Sequence, residues 1–334
     1  MTKPKGKESP LYIYGPVPSR RLGFSLGIDI LPFKTCTLDC IYCQLGSTLQ
    51  KTVQGREYFE SDRVLAQIER ALSSGQRIDY ITFSGSGEPT LNTSLGKLIR
   101  KIKKITDIPV AVLTNSTLLT DANVRKQLRA ADLIVPSLDA ATQDVFVKVN
   151  RPHVSLKIEE IIAGLKKFRQ EFKGQIWLEI MLIKGINDSP EHIKKLKAAI
   201  REIGPDKIQL NTVIRPPAEA HAKALSLKEL EKIQKKLGTE CEIIAAFRGS
   251  EQLPQIENLE QKILSMVHRR PVTLSDISAS LGKHRDEILK FLNILTQKNK
   301  IKSVIHKKKT YYEPIGQLTE RNEQDADWRE KKTQ

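Results

Sequence analysis

The sequence predicts an α/β protein built on a parallel sheet. Short segments rich in Val, Ile and Leu alternate with amphipathic segments of helical periodicity along most of the 334 residues. Such βα repeats join neighbouring strands by right-handed crossovers and therefore give a parallel sheet. Six strands precede one last extended segment, which favours a partial (β/α)6 TIM-like barrel over a complete eightfold barrel. An open, doubly wound sheet is the alternative.

The repeats define the barrel domain, predicted at residues 25–250, which follows an irregular basic lead-in at 1–24. Its strands are predicted at 25–31, 78–83, 110–113, 133–138, 176–183 and 207–213, with the last extended segment at 241–247. Its helices are predicted at 61–74, 95–105, 121–129, 156–172, 190–203 and 226–237.

A small winged-helix domain is predicted at residues 255–316. Helices at 259–268, 276–281 (capped by Ser275) and 285–297 are followed by a hairpin of strands at 301–305 and 310–312, the order typical of that fold. The predicted contacts with a phosphate backbone are basic: Lys283, His284, Arg285, Lys290, Lys307, Lys308 and Lys309. Docking of a protein partner is the alternative role. The charged segment 317–334 is typical of a disordered tail.

Composition narrows the class of protein. The net charge of +16 favours a polyanionic partner such as RNA or DNA, although a generally basic protein would have the same charge. The Lys-rich start has no apolar core of a signal peptide, and no apolar run is long enough to cross a bilayer. We therefore expect a cytoplasmic protein with no membrane partner.

Three of the four cysteines, Cys36, Cys40 and Cys43, lie within eight residues directly after the first predicted strand. Thiolates are soft ligands that suit iron–sulfur clusters and zinc. A complete cage for a 4Fe–4S cluster uses four thiolates, so three would leave one iron open to an outside ligand. A structural zinc site needs four protein ligands, and no second Cys or His pair stands nearby in the sequence. A disulfide is disfavoured by the odd number of clustered thiols.

The C-x3-C-x2-C spacing resembles that of the radical S-adenosylmethionine (SAM) superfamily. A second segment, Gly85-Ser-Gly87-Glu88-Pro89, follows the second predicted strand and resembles the GGEP motif of those enzymes. The resemblance implies a 4Fe–4S cluster on the three cysteines, with Tyr42 near the adenine of SAM and the glycine loop near its amino group. It also implies reductive cleavage of SAM to a 5′-deoxyadenosyl radical, and a low-potential electron donor such as flavodoxin or ferredoxin.

Polar residues also follow the other predicted strands, and the ends of parallel barrel strands converge on one face. By resemblance, these residues are expected to bind SAM or substrate: Asn115, Ser137, Asp139 and Asn211. Each could instead be an ordinary turn or cap residue. Glu179 lies inside the fifth strand and would need a partner if it pointed into the barrel.

A longer pattern, which includes Ser137-Leu-Asp-Ala140 and Asn150-Arg-Pro152, is similar to the group containing the wyosine-forming tRNA enzymes. Those enzymes have further upstream cysteines for a second cluster. Here no cysteine precedes Cys36, and Cys241 lies in an apolar segment typical of a core. The resemblance therefore indicates a single-cluster, bacterial-type relative.

Three functions remain open at this point. The first is modification of an RNA, such as a tRNA, with the winged helix as a substrate clamp. The second is radical chemistry on a peptide, protein or small molecule, with the winged helix docking a partner. The third is an iron–sulfur redox sensor that regulates transcription. The glycine loop favours an enzyme, since a sensor needs no SAM pocket.

Overall fold

The computed structural model describes residues 12–244, 259–283, 285–307 and 309–315. The strands up to residue 243 are β1 (Ile13–Ser19), β2 (Gly23–Ile28), β3 (Thr35–Cys36), β4 (Gln50–Lys51), β5 (Tyr80–Phe83), β6 (Val110–Thr114), β7 (Leu133–Pro136), β8 (Gln175–Leu182), β9 (Lys207–Thr212) and β10 (Cys241–Ile243). The helices between them are α1 (Ser61–Leu72), α2 (Leu95–Ile102), α3 (Ala122–Leu128), α4 (Gln143–Asn150), α5 (Ile158–Glu171), α6 (Pro190–Ile203) and α7 (Leu227–Leu237).

One eight-stranded sheet, in the order β1-β2-β5-β6-β7-β8-β9-β10, forms the framework. β1 is antiparallel to β2, and every later neighbour is parallel. The six predicted strands are confirmed, and the last extended segment adds β10 as a seventh parallel strand. Within the described residues β1 and β10 each pair on one side only, as in a barrel that does not close. Sequence periodicity missed the short helix α4.

The lead-in is where the prediction was wrong, because residues 13–19 form β1 rather than an irregular segment. Its register with β2 shifts between Tyr14 and Val17. Pro16 and Pro18 lie in this strand and have no N–H to donate. An edge strand with a bulge tolerates prolines, since one side of its backbone makes no ladder hydrogen bonds.

The two faces of the parallel sheet have different contacts. Alternate residues such as Ile134 and Leu178 belong to the large core that the helices cover. The opposite residues, including Leu133 and Trp177, form a second cluster on the inner face, together with Leu22 from the β1–β2 turn. This turn therefore reaches into the barrel, which brings its neighbours Arg20 and Arg21 to the inner polar residues.

A second, smaller core lies in the C-terminal part of the chain. Its elements are α8 (Leu259–Arg269), β11 (Val272–Thr273), α9 (Leu274–Leu281), α10 (Arg285–Gln297), β12 (Ile301–His306) and β13 (Lys309–Pro314). The strands form a separate sheet in the order β11-β13-β12, and the helices pack on it through Ile263, Val267 and Leu292. We call residues 259–315 the C-terminal unit. The predicted cap Ser275 was wrong: Thr273 caps α9 in a capping box with Asp276.

The C-terminal unit contacts the barrel at two separate places. Arg269 of α8 forms a buried ion pair with Asp29, which follows β2. Lys307 Nζ and the Tyr311 hydroxyl donate to the carbonyl oxygens of Val213 (2.7 Å) and Ile214 (2.8 Å), which follow β9. The unit thus joins the segments that follow β2 and β9, the first and sixth of the seven parallel strands. Among the described residues, no helix has the length and apolar character needed to cross a membrane.

Candidate functional site

The three clustered thiols lie in the loop that follows β2. Cys36 ends β3, and Cys40 and Cys43 share a turn in which the Cys43 N–H donates to the Cys40 carbonyl at 3.0 Å. Each sulfur accepts one hydrogen bond from a side-chain nitrogen. The donors are Asn115 Nδ2 to Cys36 (3.5 Å), Asn150 Nδ2 to Cys40 (3.3 Å) and Lys34 Nζ to Cys43 (3.0 Å). Because N–H donors stabilise sulfur that carries negative charge, this environment suits thiolates.

Burial opposes these donors, because it favours the neutral thiol over the thiolate when no cation is near. It raises the pKa of Cys36 to about 11 and the pKa of Cys40 further above its ordinary value. Burial would lower the pKa of Lys34, but the neighbouring thiolates of Cys43, Cys36 and Cys40 outweigh it and raise that pKa. A bound metal deprotonates coordinating thiols outright, so the site is suited to hold thiolates once a cationic group is present.

The three clustered thiols are the candidate metal ligands of this loop. Within the described ranges, no three His, Cys, Asp or Glu side chains converge on a position for one metal ion. The three thiols nevertheless act electrostatically on one another. Ligands of one zinc all lie about 2.3 Å from it, whereas a cubane distributes its thiolates over different irons. Cys241 is buried in β10, in the core position predicted for it.

The glycine loop, residues 84–88, packs directly against the start of the cysteine loop. Lys34 N–H donates to the Ser86 carbonyl at 2.7 Å, and Glu88 N–H donates to the Thr35 carbonyl at 3.2 Å. A Cβ on Gly87 would stand 1.9 Å from the Thr35 oxygen, so only glycine fits there. Gly85 has φ +143°, and a Cβ there would stand 2.6 Å from Asp29 Cγ. The glycines therefore join the two loops.

Glu88 holds this loop in place instead of presenting a free carboxylate. Its Oε1 accepts from Thr90 N (3.1 Å), Thr90 Oγ1 (2.6 Å) and Thr114 Oγ1 (2.6 Å), and its Oε2 accepts from Asn115 N (2.6 Å). Burial raises the pKa of Glu88, and these hydrogen bonds oppose the shift. Pro89 starts the short 3-10 turn that Glu88 caps. The carboxylate thus fixes Asn115, which in turn donates to Cys36.

Asp139 organises a second buried group beside the cysteines. It accepts from the Tyr42 hydroxyl (2.5 Å) and Asn150 Nδ2 (2.8 Å) at Oδ2, and from Met181 N (2.8 Å) at Oδ1. Burial raises the pKa of Asp139 to about 6. Tyr42, Asn115, Ser137 and Asp139 line one cavity of about 20 Å³, so the structure brings four predicted site residues together.

Asn211 belongs to a different network inside the barrel. Its Nδ2 donates to Glu179 Oε1 at 2.8 Å, and its Oδ1 accepts from Arg20 Nη1 at 2.9 Å. Glu179 has the partner that a buried carboxylate needs, since Arg21 Nη1 lies 2.9 Å from its Oε2. Burial would raise the pKa of Glu179, but Arg21 and Arg20 outweigh it and lower that pKa.

The sequence also matches a known family. The model of the Radical SAM superfamily matches residues 30–196, a range that contains both the cysteine loop and the glycine loop. The chain belongs to the radical SAM superfamily. It is a radical SAM enzyme, and its cofactors are a 4Fe–4S cluster and SAM. Cys36, Cys40 and Cys43 are the residues that would hold the cluster.

Relatives of this radical SAM enzyme are found across distant organisms. A UPF0026 protein of Methanocaldococcus jannaschii is 35% identical over 277 residues, covering 81% of this chain and 86% of that protein. A protein named GTPase Obg of Brachyspira hyodysenteriae is 39% identical over 306 residues, covering 91% of this chain. The chain spans only 45% of the length of that second relative, so the activity in the relative's name is not transferred to this chain.

Solved structures share the fold. A radical SAM methyltransferase from Sphaerobacter thermophilus has a TM-score of 0.50 at 18% identity, over 78% of this chain and 70% of that chain. SuiB of Streptococcus suis, bound to S-adenosylmethionine, has a TM-score of 0.50 at 16% identity, over 67% of this chain and 51% of that chain. At these identities the likeness shows the fold alone.

The predicted nucleic-acid residues of the radical SAM protein have different surroundings. Lys307 was expected to be free on the wing, but it is bonded to the barrel at Val213. Lys309 and Arg285 are exposed, and Arg285 Nη1 donates to Ser275 Oγ at 3.2 Å. Lys283 is half-buried. The remaining candidates lie outside the described side chains: His284, Lys290 and Lys308.

Sequence reasoning missed three residues of the site. Asn150 bonds both Cys40 and Asp139, and it opens the Asn-Arg-Pro segment that was used only to narrow the family. Lys34, two residues before Cys36, bonds Cys43. Asp29 bonds Ser86 of the glycine loop at 2.5 Å and also pairs with Arg269. Only Asn150 belongs to a sequence motif. The roles of Lys34 and Asp29 depend on tertiary contacts between segments that are separate in the sequence.

Proposed function

We propose that this radical SAM enzyme cleaves SAM reductively and uses the resulting radical to modify an RNA. Cys36, Cys40 and Cys43 would hold the cluster, which would supply the one-electron reduction of SAM and so a 5′-deoxyadenosyl radical able to abstract a hydrogen atom from the substrate. The proposed cleavage of SAM is supported mainly by the backbone hydrogen bond between the glycine loop and Thr35, one residue before Cys36.

The chain's own residues prepare this reaction in three ways. Lys34, Asn115 and Asn150 each donate to one thiol sulfur and so favour the thiolate form. Tyr42 is held by Asp139, which fixes its ring next to the turn between Cys40 and Cys43. Cys36 and Cys40 are partly buried and pack against the large hydrophobic core, which limits the access of water to them.

Three observations support RNA as the substrate class. The net charge of +16 suits a polyanion. A relative in Nitratidesulfovibrio vulgaris, named as a dual-specificity RNA methyltransferase, is 24% identical over 201 residues, covering 55% of this chain and 51% of that protein. The longer motif pattern is similar to the wyosine-forming tRNA group. We propose a single-cluster member of that group, with a barrel domain at 25–250 and a winged helix at 255–316.

The proposed winged helix would clamp the RNA. Its support is the order of helices and strands in the C-terminal unit and the exposed basic residues Arg285 and Lys309. We also propose a flavodoxin or ferredoxin as the electron donor, and a reducing cytoplasm as the compartment, since all four cysteines are free thiols.

The test is reductive cleavage by anaerobically reconstituted protein. Dithionite and SAM should give 5′-deoxyadenosine with the wild type and none with Cys40→Ala. Cys241→Ala is the matched control, because it removes a buried thiol outside the site, and it should retain cleavage. Cleavage by Cys40→Ala at the wild-type rate would contradict the proposed cluster ligand. For the substrate, RNA should co-purify at low salt and dissociate as salt rises.

A small-molecule substrate is the second candidate, and two observations favour it. Lys307 and Tyr311, which lie on the proposed wing, are bonded to the barrel. A relative in Lactiplantibacillus plantarum named GTP 3′,8-cyclase is 32% identical over 162 residues, covering 46% of this chain and 44% of that protein. Modified nucleosides in tRNA from cells with and without the gene distinguish the two, since only an RNA substrate predicts a missing modified nucleoside.

A further inference from the structure

Arg215, which follows β9, is a buried cation with almost no partner. Its side chain is 8% exposed. Within the described part of the chain, its one hydrogen bond joins Nη1 to Gln44 Oε1 at 3.5 Å, the outer limit for such a bond. Among the described residues no carboxylate lies within ion-pair distance of it. Burying a guanidinium is costly unless it is paired and hydrogen-bonded, so this position is unfavourable by itself.

The neighbours of Arg215 increase this cost. Burial lowers the pKa of Arg215 well below its ordinary value, and the charges of Arg270 and Arg20 lower it further. Asp276 and Tyr311 oppose the shift only in part. Burial also lowers the pKa of Arg20, to about 10, and Arg21 and Arg270 add to that effect.

The charges in this group do not balance. The charged groups with the strongest effect on Arg20 and Arg215 are the other arginines, Arg21 and Arg270, and the carboxylates of Glu179 and Asp276. Glu179 is already paired with Arg21. Among the described residues that act most strongly on Arg20 and Arg215, positive charge therefore exceeds negative charge. An anion at this position would relieve the repulsion between the arginines.

The location of Arg215 places the excess positive charge of the arginines next to the cysteine loop. Its partner Gln44 directly follows Cys43 in the cysteine loop. Its chain neighbour Ile214 accepts from Tyr311 of the C-terminal unit, to which Arg270 and Asp276 also belong. The cluster of Arg20, Arg215 and Arg270 therefore lies between the cysteine loop, the end of β9 and the C-terminal unit.

We propose that Arg20, Arg215 and Arg270 bind a phosphate group of the substrate. The guanidinium fork matches phosphate oxygens in geometry, and such charge-assisted hydrogen bonds are strong. A phosphodiester of RNA supplies one negative charge and a phosphate monoester supplies up to two, and both present acceptor oxygens to more than one guanidinium fork. The inference rests on the proposed radical SAM function and adds to it a phosphate-bearing substrate, either an RNA or a free nucleotide.

The test is calorimetric titration of the full-length, anaerobically purified protein with inorganic phosphate. The wild type should bind phosphate, and Arg215→Gln should weaken binding about tenfold or more, as expected for a lost charge-assisted bond. Without phosphate, Arg215→Gln should melt at the same temperature as the wild type or higher, because it removes buried repulsion. Arg100→Gln, on the exposed face of α2, is the matched control and should bind phosphate like the wild type.

Either of two results would overturn the proposal: no phosphate binding by the wild type, or equal affinity in Arg215→Gln. If Arg215→Gln does not fold, Arg270→Gln at the half-buried rim replaces it, with the same expected loss. Competition by adenosine 5′-monophosphate or by a short RNA then separates the two sources. SAM cleavage by the wild type is measured independently. Cleavage without phosphate binding refutes this inference alone, and phosphate binding without cleavage refutes the proposed function alone.

Discussion

The cysteine and glycine loops differ from the arginine cluster in how far their polar groups are satisfied. Around Glu88, four donors converge on one carboxylate, and each clustered sulfur has its own N–H donor. Around Arg215, one long hydrogen bond serves a buried cation. Both regions lie at the same end of the barrel, so their difference is chemical rather than positional.

This difference indicates two kinds of preorganisation. The loops near the cysteines are already fixed by the protein, as expected for a site that must hold its cofactors in one geometry. The arginine cluster stores unfavourable charge that an anion would relieve, as expected for a site that is complete only with its substrate. Substitutions in the cysteine and glycine loops should therefore lower the free energy of unfolding. Substitutions in the arginine cluster should raise it.

The largest effect is expected at Gly87. In Gly87→Ala the new Cβ would collide with the Thr35 oxygen, which belongs to backbone and cannot turn away. We expect a loss of about 3 kcal/mol in the free energy of unfolding, together with loss of iron binding. Gly55→Ala is the control, since its nearest atoms would stand 3.3 Å away. A Gly87→Ala protein as stable as Gly55→Ala in denaturant titrations would show that the loops are not rigidly joined.

Replacement of the Glu88 carboxylate should have the next largest effect. Glu88→Gln keeps the shape but puts an N–H₂ group against donors that now face an oxygen. We expect a loss of about 2 kcal/mol, because hydrogen bonds to a charged group are lost and buried donors are left unpaired. Glu69→Gln, at an exposed position of α1, should be close to neutral in the same urea titration. Equal losses of stability in Glu88→Gln and Glu69→Gln would contradict the role of Glu88 in holding the glycine loop in place.

Asp139 should give the stability of the cluster-free protein a specific pH dependence. Because burial raises its pKa to about 6, the folded protein keeps this proton after the unfolded chain has released it. The free energy of unfolding should therefore fall by about 3 kcal/mol as pH rises from about 4 to 6, and then stay level. Asp139→Asn lacks this titration, so the difference between variant and wild type should change over that interval. A difference in stability between Asp139→Asn and the wild type that stays constant from pH 4 to 8 would contradict the raised pKa of Asp139.

The smallest effect should have the opposite sign. Arg270 is half-buried and repels Arg215 and Arg20. Arg270→Gln should raise the free energy of unfolding by about 0.5 kcal/mol at low salt, and the gain should shrink as salt screens the charges. Melting curves at two ionic strengths measure it. A destabilised variant would mean that Arg270 has a carboxylate partner and that the cluster is balanced.

Much of the framework was predictable, because strand and helix periodicity are local properties of the sequence. All six predicted parallel strands are present, and α6 has the predicted bounds, with Pro190 in its first turn. β1 was not predictable in this way, since its two prolines indicate a loop unless the strand lies at a sheet edge. The position of the Thr273 cap depended on Asp276 three residues later, a pairing that competed with Ser275 as a cap.

The site residues that belong to motifs with a fixed spacing along the chain were predictable from the sequence. The cysteines and glycines follow from such spacing, and both loops lie inside the range that the family model matches. The role of Glu88 was not predictable, because its partners Thr114 and Asn115 come from the next strand along the sheet. Arg215 gave no signal at all. Its isolation is a property of the folded surroundings, to which the β1–β2 turn and the C-terminal unit both contribute.

The most direct test of the central claim is electron paramagnetic resonance of the anaerobically reconstituted, dithionite-reduced protein. The account predicts about four irons per chain, as in a cubane cluster, and a reduced-cluster signal that changes when SAM is added, since one iron is open. Cys36→Ala, Cys40→Ala and Cys43→Ala should each remove that signal, and Cys241→Ala should keep it. A signal that SAM leaves unchanged, or a protein that binds zinc in place of iron, would contradict the account.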